Sequence, residues 1–290
     1  MLYGLSTGFF STEFSFDPRK MMPRIARCGF DFAHVSLDTA FVQKGKAWWS
    51  ELKQICDDCN LIFDPGMGLG PDMDVSSDDP AVRQKGVDYL LALIEAVQYM
   101  GGHRLEGINF VGLGAFDGEI NRAKRWENSV ESVKIIMKAC EQADIRFGME
   151  LCNRNEQFLI NTIEDGVRFC EDVGSPNLGF CLDVYHMAME EDSFYDAIVL
   201  SGARTHDFHA CEPNRKAPIG KGLAPWEDIR RGFRQIGYDG YVALEPFART
   251  GGGRMKGTRI WRNLQDDVSD AGLDAMAMQS LAWVKQLMEG

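Results

Sequence analysis

Apolar and polar positions follow two rhythms that take turns along the whole chain. Short, mostly apolar runs bounded by turn-forming residues read as strands, and the stretches between them repeat their apolar positions at helical spacing. The first rhythm predicts strands at residues 2–6, 32–36, 61–64, 107–111, 146–150, 178–183, 205–209 and 241–245. The second predicts the helices. One opens with Asp17 as N-cap and Pro18 in its first turn, turns Met22 and Ile25 inward and stops at Gly29. Another covers residues 48–60. A third has Val87, Leu90, Leu91, Ile94 and Val97 on one face and ends at Gly101-Gly102. A fourth has Val130, Val133, Met137 and Cys140 on one face. Thr162-Ile-Glu-Asp165 resembles a capping box that opens a helix ending at Gly174. A short helix starts at Ser193, one further on bears Ile229, Phe233 and Ile236, and the last has Leu273, Met276, Ser280, Trp283 or Val284, and Leu287 on one face.

Eight strands alternating with helices, with no break in composition and no linker, predict a single (β/α)8 TIM barrel over residues 1–290. Two stretches fall outside the rhythm. Residues 65–70 form a glycine-rich loop without the lysine ending of a phosphate-binding loop, so its glycines are read as turn formers or as room over a substrate. Residues 251–270 read as an irregular insertion before the last helix.

Composition narrows the function. A formal charge of −12 argues against a nucleic-acid partner, because that affinity is built from lysine and arginine. No apolar run approaches membrane-spanning length, and the first residues lack the basic start and apolar core of a secretory signal. The eight cysteines are scattered singly, apart from Cys56 and Cys59 inside a helical pattern, which fits free thiols in a reducing cytoplasm.

Chemistry concentrates in the second half. Four successive predicted strands, the fifth to the eighth, end in Glu150, Asp183, His209 and Glu245. One acidic residue at a strand end is ordinarily a solvated or salt-bridged group, and a lone histidine is ordinarily part of the core. In a barrel, however, the C-terminal ends of the strands converge on one mouth, so four such residues can reach one ion. Three carboxylates and an imidazole suit Mn²⁺, Mg²⁺ or Co²⁺ better than a thiolate-seeking metal.

Around these residues the chain resembles the ketose 3-epimerases of the D-tagatose/D-psicose 3-epimerase type, within the xylose-isomerase-like barrels. The resemblance rests on Glu150-x-x-Asn153-Arg154-x-Glu156-Gln157, on Leu182-Asp183-x-x-His186-Met187-x-x-Glu190-Glu191, and on His209-x-x-Glu212-x-Asn214-Arg215. It extends through Ile236-Gly-Tyr-Asp-Gly240, Glu245-Pro-Phe247, Gly251-Gly252 and Trp261-Arg262, and is dense from about residue 103 onward. It implies a metal-dependent C3 epimerisation of free ketoses through a cis-enediolate. Glu150, Asp183, His209 and Glu245 would hold the metal, most simply Mn²⁺, with Glu150 and Glu245 as the acid/base pair. Glu156, His186, Arg215 and Phe247 would contact the substrate. It further implies a cytoplasmic homodimer or homotetramer.

The chain departs from the family's aromatic positions after the first and fourth strands. There it reads Ser6-Thr-Gly-Phe-Phe10 and Val111-Gly-Leu-Gly114, stretches expected at the far end of the sugar. Phe9, Phe10, Trp48 and Trp49 are themselves expected in the core or an interface. Rival readings are a ketose-phosphate epimerase, an aldose–ketose isomerase or a hydroxypyruvate isomerase on the same scaffold. No basic cluster that would favour a phosphate is visible in the sequence. An abasic-site endonuclease is disfavoured by the charge, and a non-catalytic sugar-binding protein by the complete acid/base and metal set.

Overall fold

A computed structural model describes residues 1–290. Eight parallel strands close into a barrel in sequence order, with β8 pairing back to β1. The strands are β1 (Leu2–Ser6), β2 (Phe32–Leu37), β3 (Ile62–Gly68), β4 (Arg104–Ile108), β5 (Arg146–Glu150), β6 (Leu178–Asp183), β7 (Thr205–Ala210) and β8 (Tyr241–Leu244). Most strand residues are buried on both faces, as parallel strands covered by helices must be. The helices are α1 (Met22–Arg27), α2 (Ala40–Asp58), α3 (Pro80–Tyr99), α4 (Arg122–Ala143), α5 (Ile163–Val173), α6 (Val184–Glu190), α7 (Phe194–Ser201), α8 (Trp226–Ile236), α9 (Gly252–Thr258) and α10 (Asp270–Glu289). No helix is long and apolar enough to cross a membrane.

Local signals cap the helices, at Thr162 and Gly174 as expected, whereas Asp17 caps a short 3-10 turn (Pro18–Lys20) ahead of α1 rather than α1 itself. The Asp79 carboxylate accepts the Ala81 N–H at 2.8 Å at the start of α3, and Thr162 Oγ1 accepts from Asp165 at 3.3 Å at the start of α5. Gly174 closes α5 in the left-handed conformation, φ 79°. Cys56 is buried and Cys59 half-buried at the end of α2, both as free thiols.

Several boundaries differ from the sequence reading, each for a physical reason. Helix α2 starts at Ala40, not at residue 48, because the chain kinks at Gly45 (φ 75°) and resumes its helical course. Strand β3 runs through Pro65-Gly-Met-Gly68, which the sequence reads as loop. Gly66 belongs in the strand because the His34 ring fills the space where its Cβ would stand. Strand β4 begins at Arg104, three residues before the predicted start. Its charged residues point into a buried ion-pair cluster, which hides the strand from a reading of hydrophobicity. Helix α6 lies between β6 and the predicted helix at Ser193, and α9 forms inside the stretch 251–270 that was expected to be irregular. Phe9, Phe10 and Trp49 are core residues, as expected.

Candidate active site

The four strand-end residues converge. One oxygen each from Glu150, Asp183 and Glu245 and one ring nitrogen of His209 all lie within 4.8 Å of one another at the C-terminal mouth of the barrel. From His209 Nδ1 the distances are 3.2 Å to Glu245 Oε2, 3.6 Å to Glu150 Oε1 and 3.8 Å to Asp183 Oδ2. Although His209 is buried, neither of its ring nitrogens has a hydrogen-bond partner. Buried polar atoms are nearly always satisfied, so this spacing is that of atoms sharing a cation. The donor set therefore fits a divalent metal.

Other residues of the same loops hold this set in place. Asp183 caps α6: its Oδ1 accepts the Tyr185 N–H at 2.7 Å and the His186 N–H at 3.2 Å. Its Oδ2 takes Arg215 Nη1 at 2.7 Å, and the same nitrogen lies 3.1 Å from Glu245 Oε2. Arg215 is buried with a left-handed backbone, φ 61°, a conformation that a non-glycine residue keeps only where its surroundings impose it. Its guanidinium stacks 4.3 Å from the Tyr185 ring and 5.1 Å from that of Phe247. His186 Nδ1 accepts the Asn153 backbone N–H at 3.1 Å, while its Nε2 lies 3.2 Å from Arg215 Nη2 and 3.5 Å from Glu150 Oε1.

Electrostatics follow from this crowding. Burial would raise the Glu150 carboxyl, but His186 and His209 outweigh burial and hold it well below the usual carboxylate range. Glu245 is likewise lowered, burial being overcome chiefly by His209 and then by Arg215. Burial opposes a charge on His209, yet Cys181, Glu245 and Asp207 push its pKa well above that of free imidazole. Glu150 and Glu245 thus stay ionised, while burial raises the Asp183 carboxyl against the pull of Arg215.

A cavity of about 590 Å³ opens over the cluster. Each residue expected to contact substrate is on its wall: Glu156, His186, Arg215 and Phe247. Other motif residues serve as supports. Glu212 is buried and accepts the Leu223 and Ala224 N–H groups and Trp226 Nε1, pinning the loop before α8. Arg154 pairs with Glu190 at 2.7 Å across the loops that follow β5 and β6.

The stretches expected at the far end of the sugar split. Leu113 lines the cavity, whereas Ser6, Phe9 and Phe10 are packed in the core away from it, and Phe14 stands at the rim instead. The sequence reading missed Tyr185, His34 and Arg254, all of which line the cavity. Tyr185 adjoins a noted motif residue and could have been found from that. No sequence signal marks Arg254, which reaches the cavity only because α9 folds back over the mouth.

With the geometry in hand, comparison with known proteins is informative. The description of the xylose isomerase-like TIM barrel matches residues 22–286. The D-psicose 3-epimerase of Enterocloster bolteae is 30% identical over 99% of this chain and 96% of its own length. That of Agrobacterium fabrum is 30% identical over the full length of both chains, 100% of each. The crystal structure of the D-psicose 3-epimerase from Clostridium cellulolyticum H10 with D-tagatose superposes with a TM-score of 0.95. It is 29% identical and covers 99% of both chains.

Proposed function

The chain belongs to the xylose isomerase-like TIM-barrel family and within it to the ketose 3-epimerases, carbohydrate isomerases, and from that premise we propose that it inverts C3 of a ketose by two-base proton transfer. The observation that supports this best is the placement of Glu150 and Glu245. They enter the cavity from β5 and β8, on either side of β6 and β7, with Oε1 and Oε2 respectively 3.6 and 3.2 Å from the same nitrogen of His209.

In this reading Glu150, Asp183, His209 and Glu245 hold a divalent ion, with Mn²⁺ favoured and Mg²⁺ or Co²⁺ as substitutes. That ion supplies Lewis-acid polarisation of the substrate oxygens beside the reacting carbon, which acidifies the proton there. One glutamate takes the C3 proton and the other returns a proton to the opposite face, so neither the base nor the sugar has to turn over between steps. The histidines hold both carboxylates ionised, so either can take the C3 proton, and the other gains a proton from solvent or a substrate hydroxyl before returning it to the opposite face. Arg215 and the His186 ring face the carbonyl end and stabilise the negative charge that builds up there as the enediolate forms. Asn153 holds the His186 ring in place through the 3.1 Å bond to Nδ1. Glu156 accepts from a hydroxyl of the same end, and Phe247 forms the apolar wall beside it. We further read the protein as a cytoplasmic homodimer or homotetramer. The test is an assay of chelator-stripped protein, with and without added Mn²⁺, on D-psicose, D-tagatose and D-fructose. Metal-dependent formation of the C3 epimer is expected, and formation of an aldose would reassign the reaction.

A further inference from the structure

The wall of the cavity facing the strand ends is built by the segment after β8, and its most enclosed charged side chain is Arg254. This residue is 6% exposed and lines the cavity. Its guanidinium donates one hydrogen bond, from Nη2 to the Glu13 carbonyl oxygen at 3.3 Å, while its buried Nε has no partner at all. Phe14 and Phe247 stand beside it, with ring centroids 4.8 and 5.6 Å away.

What sets Arg254 apart is the absence of a counter-ion. Arg104 and Arg215, the other deeply buried arginines, each bond to at least two carboxylates. Arg254 makes no ion pair. The Glu13 carboxylate is used instead on the Gly253 N–H, at 2.8 Å. Asp38, also on the cavity wall, accepts from the Ser15 hydroxyl, and Glu156 is half-buried without touching Arg254. The carboxylate cluster offers no surplus either. Its three negative charges are balanced by Arg215 and the divalent ion proposed above. A buried cation without compensation is costly, and is kept where a ligand completes it. Exposed Arg259 lines the same cavity, so two cations of one short segment meet on its wall, Arg254 between Phe247 and the rim residue Phe14.

We propose that Arg254 recognises an oxyanion at the end of the ketose remote from C1–C3, so that the favoured substrate ends in a phosphate ester or a carboxylate. The inference rests on the ketose 3-epimerase reading of this site and specifies its substrate class. A guanidinium presents a planar fork of donors that fits both groups. The flanking phenylalanine rings keep water from that contact, which strengthens it. Arg254 acts on binding and selection.

The test uses the full-length protein loaded with Mn²⁺. Calorimetry compares D-fructose with D-fructose 6-phosphate and with D-fructuronate, and exchange at C3 in deuterium oxide is followed for each. At least one anionic ketose should bind about ten- to a hundredfold more tightly than D-fructose, the range expected for a charge-assisted hydrogen bond. Which one binds best separates phosphate from carboxylate. Arg254→Gln should erase the preference, and Arg254→Lys, which keeps the charge but not the fork, should retain part of it. The melting temperature of each variant shows that it is folded. Equal binding of neutral and anionic ketoses by the wild type overturns the proposal without recourse to a variant, as does a preference that survives in folded Arg254→Gln. Exchange at C3 equal for all three sugars keeps the epimerase reading while sinking this one. An anion preference without C3 exchange for any ketose does the reverse.

Discussion

This barrel holds two buried clusters of nearly the same make-up. The upper one has Glu150, Asp183 and Glu245 with Arg215 and His209. The lower one, inside the barrel, has Asp64, Glu106 and Asp207 with Arg104 and His34. In the lower cluster Arg104 Nη2 lies 2.7 Å from Asp207 and 3.2 Å from Glu106, and its guanidinium stacks 3.5 Å over Tyr241. His34 Nδ1 binds Asp64 at 2.8 Å. The difference lies in where each cluster opens. The upper opens into a 590 Å³ cavity and holds a histidine whose nitrogens bond to nothing; the lower lies between the strands, where only His34 reaches that cavity, Asp64 and Arg104 face a second one at the opposite end of the barrel, and Gly148 leaves only enough room for the Glu106 side chain. Glu106 shows the consequence. Burial dominates its environment and pushes its carboxyl up to about 7, whereas Glu150 and Glu245 stay low; the arginine-bound Asp183 and Asp207 run the other way, the first raised and the second lowered. Enclosed charges become a brace, and charges facing a cavity can do chemistry.

If this contrast is right, the two clusters respond oppositely to mutation. The largest effect is catalytic. Glu150→Gln and Glu245→Gln should each lower C3 epimerisation by about 10⁴-fold, with a far smaller effect on thermal stability than on activity. A melting temperature that falls in step with activity would show that the upper cluster is also a brace. Arg104→Met, next in size, should cost about 3–5 kcal/mol in urea denaturation, because it leaves three carboxylates enclosed without their cation. Wild-type stability after that change would remove the brace from the account.

The lower cluster should also respond to pH. Glu106 has a folded pKa above its unfolded value of 4.5, so its stabilising contribution is fully present below pH 4.5 and fades as pH rises to about 7. Relative to Glu106→Gln, the wild type should therefore lose on the order of 3 kcal/mol over that window. Parallel stability curves for the two proteins would contradict this.

Metal should act on the upper cluster alone. At a hundredfold its Kd, Mn²⁺ should stabilise the wild type by about 2.7 kcal/mol and have little effect on Asp183→Asn or His209→Ala. Full stoichiometric metal in both variants, by elemental analysis, would refute the assigned ligands. The smallest effect belongs to the rim. Leu113→Trp should reorder the preference among four-, five- and six-carbon ketoses, with changes within about tenfold in kcat/KM.

The contrast also explains what the sequence could reveal. Asp183, His209 and their partners each end an apolar run, so the strand pattern itself pointed at them and the barrel brought them together. The lower cluster breaks that pattern. Arg104 and Glu106 stand inside a strand where a reading of hydrophobicity expects apolar residues, and β4 was displaced toward Asn109-Phe-Val111 as a result. Arg254 was hidden for a different reason. It lies in a glycine-rich segment without periodicity, and only α9 folding over the mouth, anchored by Arg254 N–H to the Thr12 carbonyl at 2.9 Å, makes it part of the cavity. The far-end expectation failed in part because Phe9 and Phe10 are drawn into the core, leaving the rim to Phe14.

The central claim is that Glu150 and Glu245 form a two-base pair acting on C3. Turnover of a ketose in deuterium oxide tests it most directly. The account predicts deuterium at C3 of the product and none at C1. Deuterium at C1 would instead indicate aldose–ketose isomerisation, and a product without deuterium would contradict proton transfer through carboxylates that exchange with solvent.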